Sequence, residues 1–146
     1  MDTLEIVFAV VNYSVLPAWT LLVLAPGWRW TERIVHAGVI PLVLGIVYAV
    51  LLFSDQPGPQ GSSFFTLDGV MRIFTSRQTV IACWAHYLIF DLFVGSWIAR
   101  DARRLEIPHL AIAPILVATL LFGPIGLVLY LGLRLALRRR LTLVEA

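Results

Sequence analysis

The chain is poor in charge and in cysteine. Only 14% of its 146 residues are charged and 60% are hydrophobic, whereas soluble domains average about 25% charged and about 45–50% apolar residues. It has no lysine, and its eleven arginines lie mainly between the apolar stretches, with a net charge of only +2. This pattern argues against a nucleic-acid partner and favours anionic lipid headgroups. The single cysteine, Cys83, excludes an internal disulfide and a cysteine-rich metal site.

The N-terminal segment lacks the features of a cleaved leader. It opens with Asp2 and Glu5 where a signal peptide has basic residues, and no small-residue cleavage site follows a short apolar core. A transit peptide rich in arginine and serine is not seen either. We therefore expect the first apolar block to stay in the mature protein, and the bacterial inner membrane to be its location.

The hydrophobic residues fall into four blocks of about twenty, each long enough as a helix to cross ~30 Å of hydrocarbon. They predict an all-α polytopic membrane protein, a four-transmembrane-helix bundle that forms one integral membrane domain over residues 1–146. The predicted helices cover about residues 4–25, 34–53, 79–99 and 109–133. Apolar residues at helical spacing over about 64–75 predict a short interfacial amphipathic helix, with a plain loop as the alternative.

An even number of crossings places both termini on one side of the membrane. On that topology six arginines lie on one side of the membrane and five on the other. By the positive-inside rule, this difference is too small to assign the cytoplasmic side. The arginine run at 138–140 favours a cytoplasmic location for both termini.

The third block carries two ionisable groups near its centre, His86 and Asp91. Ionisable groups at that depth cost at least ~2.5–3.5 kcal/mol to insert, so they normally face protein or a water-filled cavity. The other three blocks contain interior prolines and the third does not. We expect a straight third helix among kinked neighbours, with a cavity beside it.

The two ionisable residues are five positions apart, which places them about 140° apart around a helix. They cannot form a tight intrahelical pair, but they can face two neighbouring helices or opposite walls of one cavity. Trp84 and Tyr87 share the face of Asp91, and Phe90 shares the face of His86 together with Phe93 and Trp97. An imidazole and a carboxyl group suit general acid–base catalysis, and a structural interhelical bond is the alternative.

Further polar groups at a similar depth are Asn12, Tyr48 and Thr119, which could orient a substrate or hold helices together. The three histidines lack the spacing of a metal site, so no metal is expected. Without a phosphate-binding glycine loop or a haem motif, no cofactor is expected either. A single polar layer also argues against an ion channel.

The third block resembles a signature of the neoxanthin-synthase-like family, also called abscisic-acid-deficient-like proteins. The resemblance rests on Trp84-x-His86 followed by Asp91-Leu92-Phe93. Stretches elsewhere in the chain agree in order, namely Val15-Leu16-Pro17, Leu44-Gly45, Gly69-Val70, Ile73-Phe74-Thr75-Ser76 and Leu121-Phe122-Gly123-Pro124-Ile125-Gly126. Members of this family are small four-span membrane proteins of plants, algae and bacteria.

The resemblance implies a cofactor-free isomerase that opens an epoxide of a xanthophyll, or acts on another carotenoid or isoprenoid lipid. Such a reaction is redox-neutral, because a proton leaves carbon while the epoxide oxygen gains one. By the resemblance, His86 and Asp91 would handle the protons, with Asn12 and Tyr48 as orienting groups. The expected partners are the lipid or carotenoid ligand, membrane lipids and a second copy in a homo-oligomer. A non-catalytic carotenoid-binding or accessory protein is the main alternative, and a transporter or scaffold is a third.

Overall fold

The computed structural model describes residues 2–54, 58–139 and 141, and within these ranges all regular structure is helical, as predicted. The helices are α1 (Thr3–Ser14), α2 (Leu16–Leu24), α3 (Arg29–Thr31) continued by a π-helical turn (Glu32–His36), α4 (Val39–Phe53), α5 (Leu67–Ile73), α6 (Arg77–Arg104), α7 (His109–Phe122) and α8 (Pro124–Arg138). Arg140, part of the C-terminal arginine run, lies outside the described residues.

Three helical segments of the described chain are long and apolar enough to cross a membrane. They cover Thr3–Leu24, Arg29–Phe53 and Arg77–Arg104. The first bends at Val15, just before Pro17. It begins with a capping box, in which the Asp2 carboxyl accepts from the backbone of Leu4 and Glu5 while the Glu5 side chain accepts from Asp2.

Helix α6 is the central element and runs for 28 residues without a break, ~42 Å at 1.5 Å per residue. The prediction of one uninterrupted helix among kinked neighbours is confirmed. Its start is capped by the Ser76 hydroxyl, which accepts from the backbone N–H of Thr79. Its buried face packs against the first two spans, and the Trp19 indole lies so close to Gly95 that a Cβ there would stand 2.5 Å from it.

The last two helices form a hairpin that returns to the side from which it started. The Tyr130 hydroxyl donates to Asp101 at 2.5 Å, and the Arg134 guanidinium lies 3.0 Å from the same carboxylate. Further along, Arg138 Nε donates to the Leu105 carbonyl at 2.7 Å. Since these partners follow one another toward the C-terminal end of α6, α8 runs parallel to α6 and α7 runs antiparallel to it.

The tip of this hairpin reaches the middle of α6. The Tyr87 hydroxyl donates to the carbonyl of Leu121, in the last turn of α7, at 3.1 Å. With 14 residues, α7 is ~21 Å long, too short to cross ~30 Å of hydrocarbon. The structure therefore has two helices, α7 and α8, where one crossing was predicted over residues 109–133, and the four-transmembrane-helix count is not confirmed. Gly123 (φ +35°) and Pro124, which lacks an N–H donor, allow the chain to reverse at that point.

The hairpin also changes the topology. The N-terminal end of α1 lies beside the start of α6, where Asp2 pairs with Arg77 at 2.6 Å, whereas α8 ends beside the opposite end of α6. The described chain therefore begins and ends on opposite sides, and the expectation of a shared side is wrong. Only Arg72 and Arg77 lie on the side of Asp2. The other eight described arginines, which define the arginine-rich side, are Arg29, Arg33, Arg100, Arg103, Arg104, Arg134, Arg138 and Arg139.

The predicted interfacial helix exists as a shorter element, α5. It spans Leu67–Ile73 where about 64–75 was expected, because the Thr66 side chain caps it by accepting from the backbone N–H of Gly69. Phe65 and Leu67 are largely exposed. The position of α5 at a membrane surface stays a prediction.

A buried ion-pair network closes the open end of the hairpin. The side chains of Asp101 and Arg134 are each only 1% exposed, and Arg104 adds a second cation at 2.7 Å from the Asp101 carboxylate. The Tyr130 ring packs edge-on against Trp97 at 5.3 Å between centroids. This network joins α8 to α6 at the base of the hairpin.

We expect opposite labelling of the two ends of the chain. With Cys83 replaced by serine, single cysteines at Thr3 and Gln60 should react from one side of sealed vesicles, and those at Glu106 and Arg139 from the other. The measurement is modification by a membrane-impermeant thiol reagent. By the positive-inside rule, the second pair should face the cytoplasm or its equivalent. Labelling of Thr3 and Arg139 from the same side would contradict the hairpin.

Asp101→Asn should destabilise the protein by about 3–5 kcal/mol, because it leaves Arg134 buried beside a neutral group. The free energy of unfolding in detergent micelles measures this. The matched control is Asp2→Asn, which removes the exposed pair with Arg77 while asparagine still caps α1, and which should cost about 0–1 kcal/mol. Equal costs for the two variants would show that the Asp101 network does not hold the hairpin.

Candidate functional site

The half-depth hairpin leaves part of α6 uncovered. Between α1 and the first half of α6, the side chains of Phe8, Asn12, Trp84 and Tyr87 lie side by side, and Asp91 follows Tyr87 one turn further along α6. We call this aromatic surface and its Asp91 end the bay. The Trp84 ring lies 6.5 Å from that of Phe8 and 5.3 Å from that of Tyr87, between centroids. Trp84 Nε1 donates to Asn12 Oδ1 at 3.0 Å. The bay therefore has aromatic walls and few free polar groups.

Asp91 lies at the middle of α6 and is only 7% exposed. Its Oδ2 atom is buried and, among the described residues, has no hydrogen-bond partner. The Tyr87 phenol is its nearest polar neighbour on α6. A buried carboxyl oxygen without a partner is costly unless a proton or a ligand satisfies it, which makes Asp91 the strongest candidate for a functional group.

The hairpin tip holds this carboxyl in place. Asp91 Oδ1 lies where a Cβ on Gly123 would stand, so only glycine leaves room for it. Gly123 is followed directly by the first turn of α8, whose N-terminal N–H groups carry partial positive charge. The start of α8 thus lies beside the Asp91 carboxyl.

The opposite, outward face of α6 carries the second predicted group. His86 is exposed and stacks between Phe90 at 4.6 Å and Tyr48 of α4 at 5.9 Å, measured between ring centroids. Toward the arginine-rich side the same face borders an apolar groove of about 250 Å³ lined by Phe93, Val94, Trp97, Leu127 and Leu131. We call this groove the outer groove.

The structure divides the eight predicted site residues into three sets. Asn12, Trp84, Tyr87 and Asp91 meet in the bay. Tyr48, His86 and Phe90 contact one another on the face of α6 that borders the outer groove. Thr119 lies inside the hairpin, where its hydroxyl donates to the Ile115 carbonyl at 2.8 Å and it packs against Gly126.

His86 and Asp91 do not converge. They are separated by ~7.5 Å along the helix axis and project in different directions, as their spacing predicted. Of the two arrangements that the spacing allowed, the structure has each residue facing different neighbours, with His86 toward Tyr48 and Asp91 toward Gly123.

The buried residues that hold the hairpin were missed in the sequence. In the sequence, Asp101 has the appearance of a loop charge and Arg134 that of a charge near the C-terminal end of the fourth block. Tyr130 has the appearance of part of an apolar span. One signal was present, since Arg134 interrupts the apolar run of the fourth block between Leu133 and Leu135. A buried arginine requires an anionic partner, and Asp101 at the far end of the neighbouring helix meets that need.

Gly123→Ala should destabilise the protein by about 1–3 kcal/mol, because any side chain meets Asp91 and a positive φ strains the backbone. Thermal unfolding in detergent measures the loss. The control is Gly132→Ala in α8, where a Cβ has no atom within 4 Å and the change should stay within about 1 kcal/mol. Similar unfolding of both variants would mean that the tip does not depend on Gly123.

Comparison with known proteins agrees with the resemblance seen in the sequence. Residues 6–130 match the family described as ABA DEFICIENT 4-like. Over 131 residues the chain is 30% identical to Protein ABA DEFICIENT 4, chloroplastic, of Arabidopsis thaliana, and the alignment covers 84% of this chain. The chain spans only 57% of that relative's length, and the relative's chloroplast location does not support the expected bacterial inner membrane. No solved structure matches the chain. The chain belongs to the ABA DEFICIENT 4-like family.

Proposed function

We propose that this protein is a membrane-embedded isomerase that acts on an epoxide-bearing carotenoid or a related isoprenoid lipid without a cofactor. The observation that carries the proposal is the buried Asp91 carboxyl, with one oxygen free of hydrogen-bond partners, at the end of an aromatic bay. The substrate class and the epoxide-opening reaction come from the resemblance to the neoxanthin-synthase-like family. The geometry around Asp91 supplies the candidate acid–base group.

A single carboxyl group can carry out both proton transfers of this reaction. Protonated Asp91 gives its proton to the epoxide oxygen, an O–H bond forms, and a C–O bond breaks to leave a carbon cation. The carboxylate then takes a proton from a neighbouring carbon, which creates a new double bond and restores the acid. Both transfers occur within a few ångströms, the span of one carboxyl group, and no electrons are exchanged with a cofactor.

The surroundings of Asp91 support each step. The N-terminus of α8 stabilises the carboxylate between the two transfers. Tyr87, whose hydroxyl is held by the Leu121 carbonyl, lies beside the carboxyl and orients it. Exclusion of water by the hairpin tip protects a carbon cation from capture.

The bay also suits a long apolar ligand. The stretch of α6 from Asp91 back to Arg77 is ~21 Å long. Phe8, at one end of the bay, also lines a cavity of about 370 Å³ near the N-terminal side, together with Leu4, Val80 and Ile81, among others. An end ring under the hairpin tip would place the polyene along Tyr87, Trp84 and Phe8, whose π faces contact it favourably.

Non-catalytic carotenoid binding is the second candidate function. It is favoured by the position of His86, which lies beside the outer groove and cannot reach a substrate atom that Asp91 touches. On this alternative, the two aromatic faces of α6 simply hold pigment. In our proposal His86 contributes to the outer groove and not to the reaction.

Asp91→Asn should lower pigment conversion by about 10²–10⁴-fold in cells that supply an epoxycarotenoid, because asparagine cannot donate and retrieve the proton. Chromatography of the extracted pigments measures conversion, and pigment that copurifies with the protein measures binding. His86→Ala should change conversion by less than about tenfold if it acts through the outer groove alone.

Two variants control for general effects of charge and fold. Asp68→Asn removes an exposed carboxylate in α5, and His109→Gln changes a histidine that bonds the Val23 carbonyl, far from the bay. Both should convert pigment normally. Copurification of unconverted pigment with wild type and Asp91→Asn alike would support the binding alternative. If no pigment binds and none is converted, both candidate functions are wrong.

A further inference from the structure

A second polar cluster lies at the arginine-rich end of α6, away from the bay. It consists of His36, at the end of the π-helical turn, with Ser96 and Arg100 of α6. His36 Nδ1 lies 2.7 Å from Ser96 Oγ, and Arg100 Nη1 lies 2.6 Å from the same oxygen. Ser96 is buried. Single π-helical turns are rare and often occur at functional sites.

The hydrogen bonds of the cluster have a defined direction. Arginine can only donate, so Ser96 Oγ accepts from Arg100. Arg100 Nη1 also lies 3.3 Å from His36 Nδ1, and because arginine cannot accept, Nδ1 is the acceptor in this contact and carries no hydrogen. The Ser96 hydroxyl therefore donates its hydrogen to His36 Nδ1. An imidazole that accepts at Nδ1 carries its hydrogen on Nε2. His36 Nε2 is buried and has no partner among the described residues.

The cluster borders a cavity large enough for a small group. The cavity has a volume of about 120 Å³ and is lined by Gly38, Pro41, Leu92 and Phe93 in addition to the three polar residues. The polar hydrogens that remain in the cluster belong to donors, namely His36 Nε2–H and the N–H groups of Arg100 not engaged by Ser96 or His36. A ligand oxygen that accepts several hydrogen bonds, as a charged oxygen does, suits these donors best.

Charge around the cavity favours an anion. Arg103 is paired with Glu32 at 2.9 Å, which cancels both charges. Arg100 and Arg33 remain as cations, and the Arg33 guanidinium lies 5.7 Å from the centre of the Trp30 ring. His36 lies about two turns into the second span, and Arg100 lies one turn before the end of α6, where we expect the lipid headgroups to begin.

We propose that His36, Ser96 and Arg100 form a binding site for one phosphate oxyanion of an anionic membrane lipid. His36 Nε2–H and Arg100 donate to the phosphate oxygens, and Ser96 orients both donors. Net-neutral lipids with a choline group bind less well, because the quaternary ammonium is repelled by the nearby arginines. The site is independent of the bay, so it stands or falls separately from the proposed isomerase.

The test uses delipidated full-length protein in neutral detergent, titrated with phosphatidylglycerol or phosphatidylcholine. Native mass spectrometry counts the bound lipids. Wild type should bind one phosphatidylglycerol more tightly than any phosphatidylcholine. His36→Phe and Arg100→Gln should each weaken this binding about tenfold or more, since each removes a hydrogen bond to a charged group. Ser96→Ala should also weaken it, and this small change keeps the test decisive if His36→Phe does not assemble.

Arg33→Gln is the matched control, because it removes the same charge from the same side but leaves the cluster intact. It should alter phosphatidylglycerol binding less than about twofold. Equal losses for Arg33→Gln and Arg100→Gln would overturn the proposal in favour of diffuse attraction to basic residues. Equal binding of phosphatidylcholine and phosphatidylglycerol would also overturn it. Displacement of the lipid by millimolar inorganic phosphate would support the oxyanion site but assign it to a free anion.

Discussion

The structure depends on the buried ion pair between Asp101 and Arg134. A charge removed from water needs an opposite charge and hydrogen bonds, and Arg104 and Tyr130 complete that set around the Asp101 carboxylate. To bring Arg134 to the end of α6, the chain must reverse within the apolar layer. The reversal at Gly123 then comes to lie against Asp91 at the middle of α6. The need to pair Arg134 with Asp101 near the end of α6 thus determines what surrounds the Asp91 carboxyl at the middle of that helix.

The elements that cross completely were predictable because hydropathy and length alone define them. The uninterrupted α6 followed from its lack of proline, and the common face of Trp84, Tyr87 and Asp91 followed from helical spacing. The prediction for the fourth block was not met, because the hydropathy of an apolar run does not show whether the chain reverses direction within it. A run from 109 to 133 suits one full crossing as well as two half-length helices. Gly123-Pro124 and Arg134 were the residues that distinguished them.

The sequence could propose residues for a candidate site but not say which of them lie together. Helical spacing correctly separated the direction of His86 from that of Asp91, yet it could not say which neighbour covers each face. That depends on how far the hairpin extends along α6. The cluster at His36 was missed for a different reason: its contacts depend on a π-helical turn and on the left-handed conformation of Gly38, which have no periodic pattern in the sequence.

The half-depth hairpin has a mechanical consequence for the bilayer. The first two spans and α6 are long enough to pass through both leaflets, whereas α7 and α8 lie beside only the half of α6 toward the arginine-rich side. In a bilayer the protein would therefore displace more lipid from that monolayer than from the other, with a cross-section of about five helices against about three at ~10 Å diameter each. A protein with this wedge shape fits best where the monolayer around its wide end is convex. Membrane curvature and lateral pressure would then act on the turn at Gly123, which lies against the buried Asp91 carboxyl.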